Sequence, residues 1–391
     1  MKKKILSVVL IVLLAVLAAE LVYVGCTVFN REGAAAVLST EPVQTRPSEA
    51  TDPTDATEPE ESSQPTEPEE TTQPTEPVLT SFLLTFTGDS TIGSDPNLFA
   101  NPYGYILTIG DDYEYPFRNI AQYFREDDLT LVNLEGVFAD SGTGATKQFV
   151  FRGPTSYVNI LTGSSVEAVT LANNHTLDFG VEGYESTKTA LQGGGVTYVE
   201  DQGSVIHTTE SGLVVGLYAA AFTRNDEDMK SEIASLRNQG AQVIVAAMHW
   251  GNEGQYRATE AQKSWAHALI DAGVDIVWGN HSHVLQPIEE YNGGIIYYSL
   301  GNCTFGGNTW PRDPDTAVLQ QEVIVSSDGT VKLGKLTIIP CSVSSATTGL
   351  NNFQPTPYAE GSAGYDRVMS KLDGSWKGAD LIVDYNNMGN G

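Results

Sequence analysis

The stretch DAGVDIVWGNHSHVLQPIE (residues 271–289) contains the end of a helix, a buried strand and a polar loop in direct succession. Gly273 follows a helical pattern, and glycine is the usual residue just after a helix. The apolar run 274–277 then indicates a short buried strand. His281 and His283 follow it, and on an extended loop two imidazoles at this spacing can face one ion. This succession is typical of an α/β protein with a binding site at the carboxyl ends of its strands.

Apolar strand patterns and helical patterns alternate along the rest of the chain as well. This alternation predicts an α/β sheet with helices on both faces, in one domain over residues 80–345. A pair of strands within 322–339, turning at Asp328-Gly329, is predicted to close one edge of the sheet. The predicted strands are 81–87, 129–133, 166–171, 214–218, 243–248, 274–277 and 295–299, and the predicted helices are 116–124, 182–191, 226–238 and 259–272.

Nearly every predicted strand ends in a polar residue that can bind metal or transfer protons. In open α/β sheets ligands gather at the carboxyl ends of strands, so these residues are predicted to converge on one crevice. Each of them alone has a simpler explanation, because aspartate and asparagine after a strand are common turn or cap residues. The coincidence of five such segments favours a site. They are Gly88-Asp89, Asn133-Leu134-Glu135, Asn173-Asn174-His175, His249-Trp250-Gly251 and Gly279 to His283. His207 and His267 lie outside the strand ends and are interpreted as structural.

The ligand types indicate the kind of metal. Carboxylate, amide and imidazole groups without thiolate suit a pair of Mn, Fe or Zn ions rather than a closed structural zinc site. Two ions need a bridging ligand, and the carboxylate of Glu135 can use both oxygens for that purpose. Such a pair activates water and binds a phosphoryl group or similar oxyanion, which is hydrolytic chemistry. His175, next to the candidate ligand Asn174, would be free to protonate a leaving group.

The amino-terminal sequence predicts a membrane anchor over residues 1–31. Three lysines at 2–4 precede an apolar run, 5–29, whose only charge is Glu20. Its length suffices to span a hydrocarbon core of ~30 Å, and the preceding lysines place the following chain outside the cytoplasm. We therefore expect a single-pass protein of the cell membrane. The alternatives are a lipoprotein modified at Cys26 and a secreted protein released by signal cleavage.

Two further segments flank the predicted domain. Residues 32–79 are rich in Thr, Pro and Glu with repeated TEP units, and nine acidic residues with no basic one lie between Thr51 and Pro77. Such a composition cannot bury enough apolar area to offset the entropy of ordering, so we predict a disordered linker. A solvated spacer is the simpler role for it, and binding by the repeats is the alternative. Residues 346–391 are interpreted as a carboxyl-terminal extension.

Charge and cysteine content exclude other classes of protein. The formal net charge is −28, and residues 80–391 alone hold 36 acidic and 16 basic residues. Nucleic acid is therefore not expected as a partner, because binding to its phosphates needs clustered Lys and Arg. Three cysteines provide neither a disulfide framework nor a cysteine zinc cluster. Cys303 and Cys341 are left as two buried thiols or one bridge.

Six motifs follow one another along the chain: FTGDS (86–90), VNLEG (132–136), LANNHTLDFG (171–180), MHWGNE (248–253), the opening stretch (271–289) and YSLGN (298–302). Together they resemble the CapA-type capsule and poly-γ-glutamate synthesis proteins. The resemblance implies the fold of the calcineurin-like metallophosphoesterases, a four-layer α/β/β/α sandwich with a two-metal site. We expect this fold after the transmembrane helix and the disordered linker.

The resemblance also implies roles for individual residues. Where phosphoesterases have the motif D-x-H, this chain has Asp89-Ser90-Thr91, so one metal ligand of that family is missing. Arg152, in FRGP, could hold an anionic substrate group, and Asp178 and Glu253 resemble residues that orient ligands. The implied roles are first metal ligand for Asp89, bridging carboxylate for Glu135, ligand and general acid for Asn174 and His175, and later ligands for His249, His281 and His283.

Two functions are consistent with these residues. The first is a metal-dependent hydrolase that acts outside the cell on a phosphoester or on an amide of an anionic polymer. The second is a non-catalytic factor for polymer assembly or export that retains a degenerate metal site. No GxxxxGK[ST] motif occurs, so a synthetic role would depend on synthase partners in the membrane. A sugar or peptide binding module is a weaker reading, because it would not need these histidines and carboxylates.

Overall fold

The computed structural model of the protein describes residues 78–347 and 349–383. Its strands are β1 (Leu79–Thr91), β2 (Leu129–Leu134), β3 (Val137–Phe138), β4 (Arg152–Gly153), β5 (Ala168–Thr170), β6 (Thr197–Val199), β7 (Gly203–Thr208), β8 (Val214–Ala221), β9 (Val243–His249), β10 (Ile276–Asn280), β11 (Leu285–Tyr291), β12 (Gly294–Leu300), β13 (Asn302–Phe305), β14 (Asp315–Ser326), β15 (Val331–Ser342) and β16 (Thr356–Pro357). Its helices are α1 (Tyr105–Ile109), α2 (Ala121–Arg125), α3 (Val158–Thr162), α4 (Gly180–Gly194), α5 (Asp226–Asn238), α6 (Glu260–Asp271) and α7 (Ala363–Leu372).

The strands form two main sheets. The first has the order β16-β15-β14-β1-β2-β5-β6, with β13 also paired to β1, and the second has the order β11-β12-β10-β9-β8-β7. The strands β1, β2, β5 and β6 run parallel, as do β8, β9, β10 and β12. Antiparallel strands flank both parallel groups, including the predicted hairpin β14–β15. The chain is therefore a mixed α/β protein.

The apolar core lies in three layers that explain how the sheets and helices stack. Inner-face residues of both sheets, such as Phe86 of β1 and Trp278 of β10, share one cluster. A second cluster joins the outer face of the first sheet to α1–α4, and a third joins the outer face of the second sheet to α5 and α6. Helices, sheet, sheet and helices thus follow one another. The alternating pattern in the sequence predicted the elements but not their division between two sheets.

Local sequence signals explain where the helices begin. Thr259 caps α6 in a reciprocal capping box with Gln262, and Asn225 caps α5. The predicted helix 116–124 is wrong for its first half, because only Ala121–Arg125 is helical. Hydrogen-bonded turns instead carry residues 115–120 into the core, where Phe117 is fully buried.

The predicted membrane span and most of the predicted linker precede the first described residue. Within 78–347 and 349–383, no helix combines the length and apolar character needed to cross a bilayer. The predicted span 5–29 lies outside these residues, as does the predicted linker up to residue 77. Cys303 and Cys341 are both buried and free, which agrees with the expectation of two buried thiols.

The segment after residue 345 adds a strand and a helix to the first sheet. β16 pairs with β15, and α7 packs against β11, β14 and β15. Lys371 of α7 is 2% exposed, and its Nζ lies 2.8 Å from both carboxylate oxygens of Asp313 and 2.7 Å from Asp315 Oδ2. Arg367 binds Asp315 with two bonds of 2.6 Å. This cluster of buried charges fixes α7; the domain boundary predicted at 345 stays a prediction.

Replacing Trp278 with phenylalanine is expected to lower the free energy of unfolding by about 2–4 kcal/mol. The indole Nε1 of Trp278 donates to the carbonyl oxygen of Thr87 at 2.9 Å and so joins the second sheet to the first. The substitution leaves this carbonyl unpaired and a cavity beside Phe86. Urea denaturation measures the change, and Trp310→Phe, at a site 57% exposed, is the control. Equal effects of the two substitutions would contradict the role of Trp278.

Candidate metal centre

The carboxyl ends of strands from both sheets meet at one rim of the molecule. Asp89 of β1 pairs in register with Asn133 of β2, and His249 of β9 pairs with Asn280 of β10. The backbone N–H of His281 donates to both carboxylate oxygens of Asp89 at 3.2 Å, which connects the two rims. The structure brings together seven of the predicted site residues: Asp89, Glu135, Asn174, His175, His249, His281 and His283.

Glu135 lies at the middle of this group. Its side chain is fully buried, and among the described residues neither carboxylate oxygen has a hydrogen-bond partner. Its Oε1 lies 3.9 Å from His175 Nε2, 3.7 Å from His249 Nε2 and 3.8 Å from His283 Nε2. These distances are too long for hydrogen bonds. Two atoms that each bind one ion at about 2.1 Å with tetrahedral angles lie roughly 3.4 Å apart, so the spacing is close to that of ligands sharing an ion.

Three of these side chains form a group that could bind a metal ion. Glu135, His281 and His283 each offer one ligand atom, and all three atoms lie within 4.8 Å of one another. The Nδ1 atom of His281 is buried without a hydrogen-bond partner among the described residues. Unpaired buried polar atoms are costly, and coordination to a cation would satisfy them. The residues present therefore fit a divalent ion.

Asp89 and Asn133 connect the two sides of the site. Asn133 Nδ2 donates to Asp89 Oδ1 at 2.8 Å and lies 3.4 Å from Nδ1 of His249. The other oxygen of Asp89 lies 3.2 Å from His283 Nδ1. Both residues are fully buried. Their contacts fix the positions of two candidate ligand histidines.

Asn174 and His249 form a second close pair of candidate ligands. Asn174 Oδ1 lies 2.7 Å from His249 Nε2, the same nitrogen that faces Glu135. The ring of His249 also lies 4.7 Å from the ring of His281. Phe222, at the rim, contacts both rings edge-on with centroid distances of 5.5 and 4.7 Å. One side of the site is thus lined by imidazoles under an aromatic ring.

The electrostatics of the site favour a cation. Burial raises the pKa of Glu135 well above its usual value; His283 opposes this shift, while Asp89 and Glu253 add to it. Burial alone would lower the pKa of His283, but the carboxylates of Glu135 and Asp89 outweigh it and raise the pKa to about 10. A buried group of carboxylates that draws a proton onto a neighbouring imidazole would also attract a metal ion.

The imidazole of His175 is fixed through its Nδ1 atom by the buried carboxylate of Asp178. Its Nδ1 lies 2.7 Å from Asp178 Oδ2, and its ring packs against Phe151 with centroids 4.4 Å apart. Asp178 also forms an ion pair with Lys147 and accepts the backbone N–H of Phe151 at 2.6 Å. Burial lowers the pKa of His175, although Asp178 acts in the opposite direction. Asp178 therefore orients the imidazole, and Nε2 faces Glu135.

The two remaining predicted residues lie at the periphery. Glu253 follows β9 and is partly buried, and its charge contributes to the raised pKa values of Glu135 and His283. Arg152 lies in β4, with its guanidinium between the rings of Phe99 and Phe179. The metal, catalytic and substrate-binding roles of all ten predicted residues stay predictions.

The sequence assigned no role to three residues that contact the site. Asn302 Oδ1 lies 2.9 Å from His283 Nδ1, and Asn133 connects Asp89 to His249. Both asparagines occur in the motifs YSLGN and VNLEG, so their position after a strand was an available signal. Lys147 contacts Asp178 and donates to the carbonyl oxygen of Asn174 at 2.8 Å. It lies in a polar loop that gave no such signal.

Acidification is expected to destabilise the metal-free protein through His281. Burial lowers the pKa of His281 from 6.5 to about 3. The unfolded chain thus takes up a proton near pH 6.5, whereas the folded chain does so only near pH 3. Stability therefore falls as the pH drops through this window, by up to about 1.4 kcal/mol per pH unit. Urea denaturation of the chelated protein and of His281→Gln at several pH values measures it, and parallel curves would contradict the prediction.

Fold and site together define an α/β protein with a candidate metal centre at the rim of two sheets. The family described as bacterial capsule synthesis protein PGA_cap matches residues 83–211 and 200–307, which is more than half of the chain. The chain belongs to this family. The match confirms the resemblance to CapA-type proteins that the six motifs indicated.

Curated relatives agree with this assignment. The PGA biosynthesis protein CapA of Bacillus subtilis is 28% identical over 255 residues, which cover 59% of this chain and 66% of that protein. The capsule biosynthesis protein CapA of Bacillus anthracis is 27% identical over 266 residues, covering 61% and 62%. The chain thus spans just under two thirds of the length of these relatives. Among solved structures, purple acid phosphatase PPD1 of yellow lupin aligns with a TM-score of 0.32 and 11% identity over 66% of this chain and 53% of that one.

Proposed function

We propose that this protein takes part in capsule or poly-γ-glutamate synthesis as a metal-dependent hydrolase. Its substrate would be a phosphoester or an amide of an anionic polymer. The observation that carries the proposal is the buried carboxylate of Glu135, which lacks a hydrogen-bond partner and lies within 3.9 Å of three imidazole nitrogens. A fold needs no such unsatisfied group, whereas a metal site does.

Two ions could be held by the donor atoms that surround Glu135. The side chains that would hold them are those of Asp89, Glu135, Asn174, His249, His281 and His283. Divalent Mn, Fe or Zn suits this set of oxygen and nitrogen donors. When bound, such ions polarise a substrate oxygen and lower the pKa of water.

The residues of the chain around the ions would orient the substrate and move a proton. His175 is fixed through Nδ1 by Asp178, so Nε2 is the atom that would donate to the leaving oxygen or nitrogen. In the free protein burial lowers the pKa of His175. An anionic substrate group beside Nε2 would raise this pKa again, since a nearby negative charge favours the protonated imidazole. Substrate binding would thus prepare His175 to act as an acid.

A second candidate function is a non-catalytic assembly or export factor with a degenerate metal site. One observation favours it: Thr91 stands where the D-x-H motif of the phosphoesterases has a histidine. Its hydroxyl is fully buried and, among the described residues, unpaired. One ion would then have fewer protein ligands, and the site could bind a polymer without cleaving it.

The location and partners belong to the same proposal. The apolar run 5–29 would anchor the chain in the cell membrane with its domain outside, and the acidic linker would separate the two. Lipidation at Cys26 or release by cleavage are the alternatives for this segment. A synthase in the membrane would form the polymer, since the sequence lacks a nucleotide-binding loop.

Metal-dependent turnover by the full chain tests the two functions. We expect Mn²⁺ to support hydrolysis of a phosphoester or of poly-γ-glutamate, and chelation to abolish it. Asp89→Ala and His281→Ala should each remove the activity, whereas His207→Ala, which changes an imidazole outside the site, should retain it. Bound metal without turnover of either substrate would reject the hydrolase and favour the assembly factor.

A further inference from the structure

A pocket of about 320 Å³ has two cationic side chains in its wall, and one of them, Lys147, also contacts Asn174 and His175 of the candidate metal centre. Lys147 lines this pocket and also contacts Asp178, which holds His175. Arg152 is the second cation, and the preceding residue, Phe151, packs on the His175 ring. The pocket wall and the support of His175 are therefore built from the same segment.

The charge of Arg152 differs from that of its neighbours because no carboxylate in the described part of the chain compensates it. Lys147 is neutralised by Asp178. Five of the seven other arginines in the described residues form ion pairs with aspartates: Arg118, Arg224, Arg237, Arg257 and Arg367. Within residues 78–347 and 349–383, the guanidinium of Arg152 makes no ion pair and no side-chain hydrogen bond. Asp95, which also lines the pocket, instead accepts from the backbone and side chain of Asn97 at 2.9 and 2.8 Å.

The structure fixes this unpaired guanidinium in one orientation. Its central carbon lies 5.3 Å from the ring centroid of Phe99 and 5.1 Å from that of Phe179. The backbone of Arg152 exchanges hydrogen bonds of 3.1 and 3.0 Å with Ser94. A guanidinium held against aromatic faces keeps its N–H donors at its edge, where they match a carboxylate or phosphate. Little conformational entropy remains to be lost when an anion binds.

The acidic character of the domain makes the position of Arg152 selective for an anion. Residues 80–391 hold 36 acidic and 16 basic residues, so most of the surface repels an anion. At physiological ionic strength charges act over ~8 Å, so a local cation can attract an anion in spite of the net charge. An unpaired arginine beside the centre would select the site at which an anionic chain binds.

We propose that the pocket at Arg152 is a subsite for an oxyanion group of a polymeric substrate, next to the group that occupies the metal centre. This inference rests on the proposed function, because it assigns the substrate of the same site. It implies a substrate with repeated negative charges. The side-chain carboxylates of a γ-linked glutamate chain and the phosphates of a phosphodiester polymer share this chemistry.

Binding of short oligomers to the full chain tests the subsite. The probes are a γ-linked glutamate oligomer and a glycerol phosphate oligomer, each titrated calorimetrically with chelator and with Mn²⁺. We expect Arg152→Gln to weaken binding of the preferred oligomer about tenfold or more, which corresponds to ~1.4 kcal/mol. Arg152→Lys keeps the charge but loses the planar donors, so its affinity for the oligomer should lie between those of the wild type and Arg152→Gln. The oligomer that loses more affinity identifies the oxyanion.

The controls separate this inference from the proposed function. Arg118→Gln, which removes an exposed and paired arginine, should bind both oligomers like the wild type. Mn²⁺ affinity should stay unchanged in the Arg152 variants. The subsite is overturned if both oligomers bind equally to wild type and Arg152→Gln, or if the wild type binds neither. Loss of oligomer binding with chelator present would support the subsite even if no hydrolysis is ever detected.

Discussion

Glu135→Gln is expected to lower the affinity of the protein for Mn²⁺ by about 100-fold or more. The amide supplies one neutral oxygen, whereas the carboxylate supplies two charged ones at the centre of the candidate ligands. The same change should not destabilise the metal-free protein, because it removes a buried carboxylate that has no hydrogen-bond partner in the described residues. Opposite effects on metal binding and on apo stability would distinguish a ligand from a structural residue.

Metal titration followed by calorimetry, with thermal unfolding of the chelated protein, measures both effects. Glu322→Gln is the matched control, since Glu322 is partly exposed and accepts from Ser81 Oγ at 2.6 Å, far along β1 from the site. It should leave Mn²⁺ binding unchanged. If Glu135→Gln binds Mn²⁺ like the wild type, Glu135 is not a ligand and the proposed centre is wrong.

Lys371→Met is expected to lower the free energy of unfolding by about 3–5 kcal/mol. Methionine preserves most of the volume but leaves Asp313 and Asp315 buried without the ammonium group that lies 2.7–2.8 Å from both. Arg367 compensates only Asp315. The loss should therefore exceed that of any exposed ion pair.

Urea denaturation compares this variant with Lys263→Met. Lys263 forms an exposed ion pair with Glu260 at 2.8 Å on helix α6, and such pairs contribute at most about 1 kcal/mol. Metal binding should be similar in both variants, because α7 lies outside the candidate centre. A similar small loss for both lysines would show that the buried cluster contributes little.

The strand patterns predicted that the candidate residues converge, and the resemblance of the six motifs, but not the local patterns, predicted an architecture with two sheets. Asp89, His249 and His281 lie at or just after the ends of predicted strands, and the carboxyl ends of parallel strands in one sheet meet at one edge, so the strand patterns predicted that these residues converge. The alternation of strands and helices did not show that β1 and β9 belong to different sheets. That division depends on which strands pair, and pairing between distant segments leaves little trace in local hydropathy.

Contacts made by irregular segments could not be predicted from the sequence either. Lys147 lies in a polar loop, and only the folded chain brings it to Asp178 and Asn174. The tail after residue 345 looked poorly specified because it is rich in Gly and Asn. Its position depends on Lys371 meeting Asp313 and Asp315, which are more than fifty residues away in the chain.

The backbone of the loop after β10 has a further consequence. His281 and His283 have φ values of +93° and +54°, a region in which glycine is favoured and bulky side chains are strained. His281→Gly should therefore relieve backbone strain. His283→Gly would relieve strain as well, but it also removes the imidazole that pairs with the buried carboxylates of Asp89 and Glu135, so its net effect should be a loss of stability. Histidine at these two positions therefore costs backbone stability, and the proposed metal binding is what the imidazoles would provide in return.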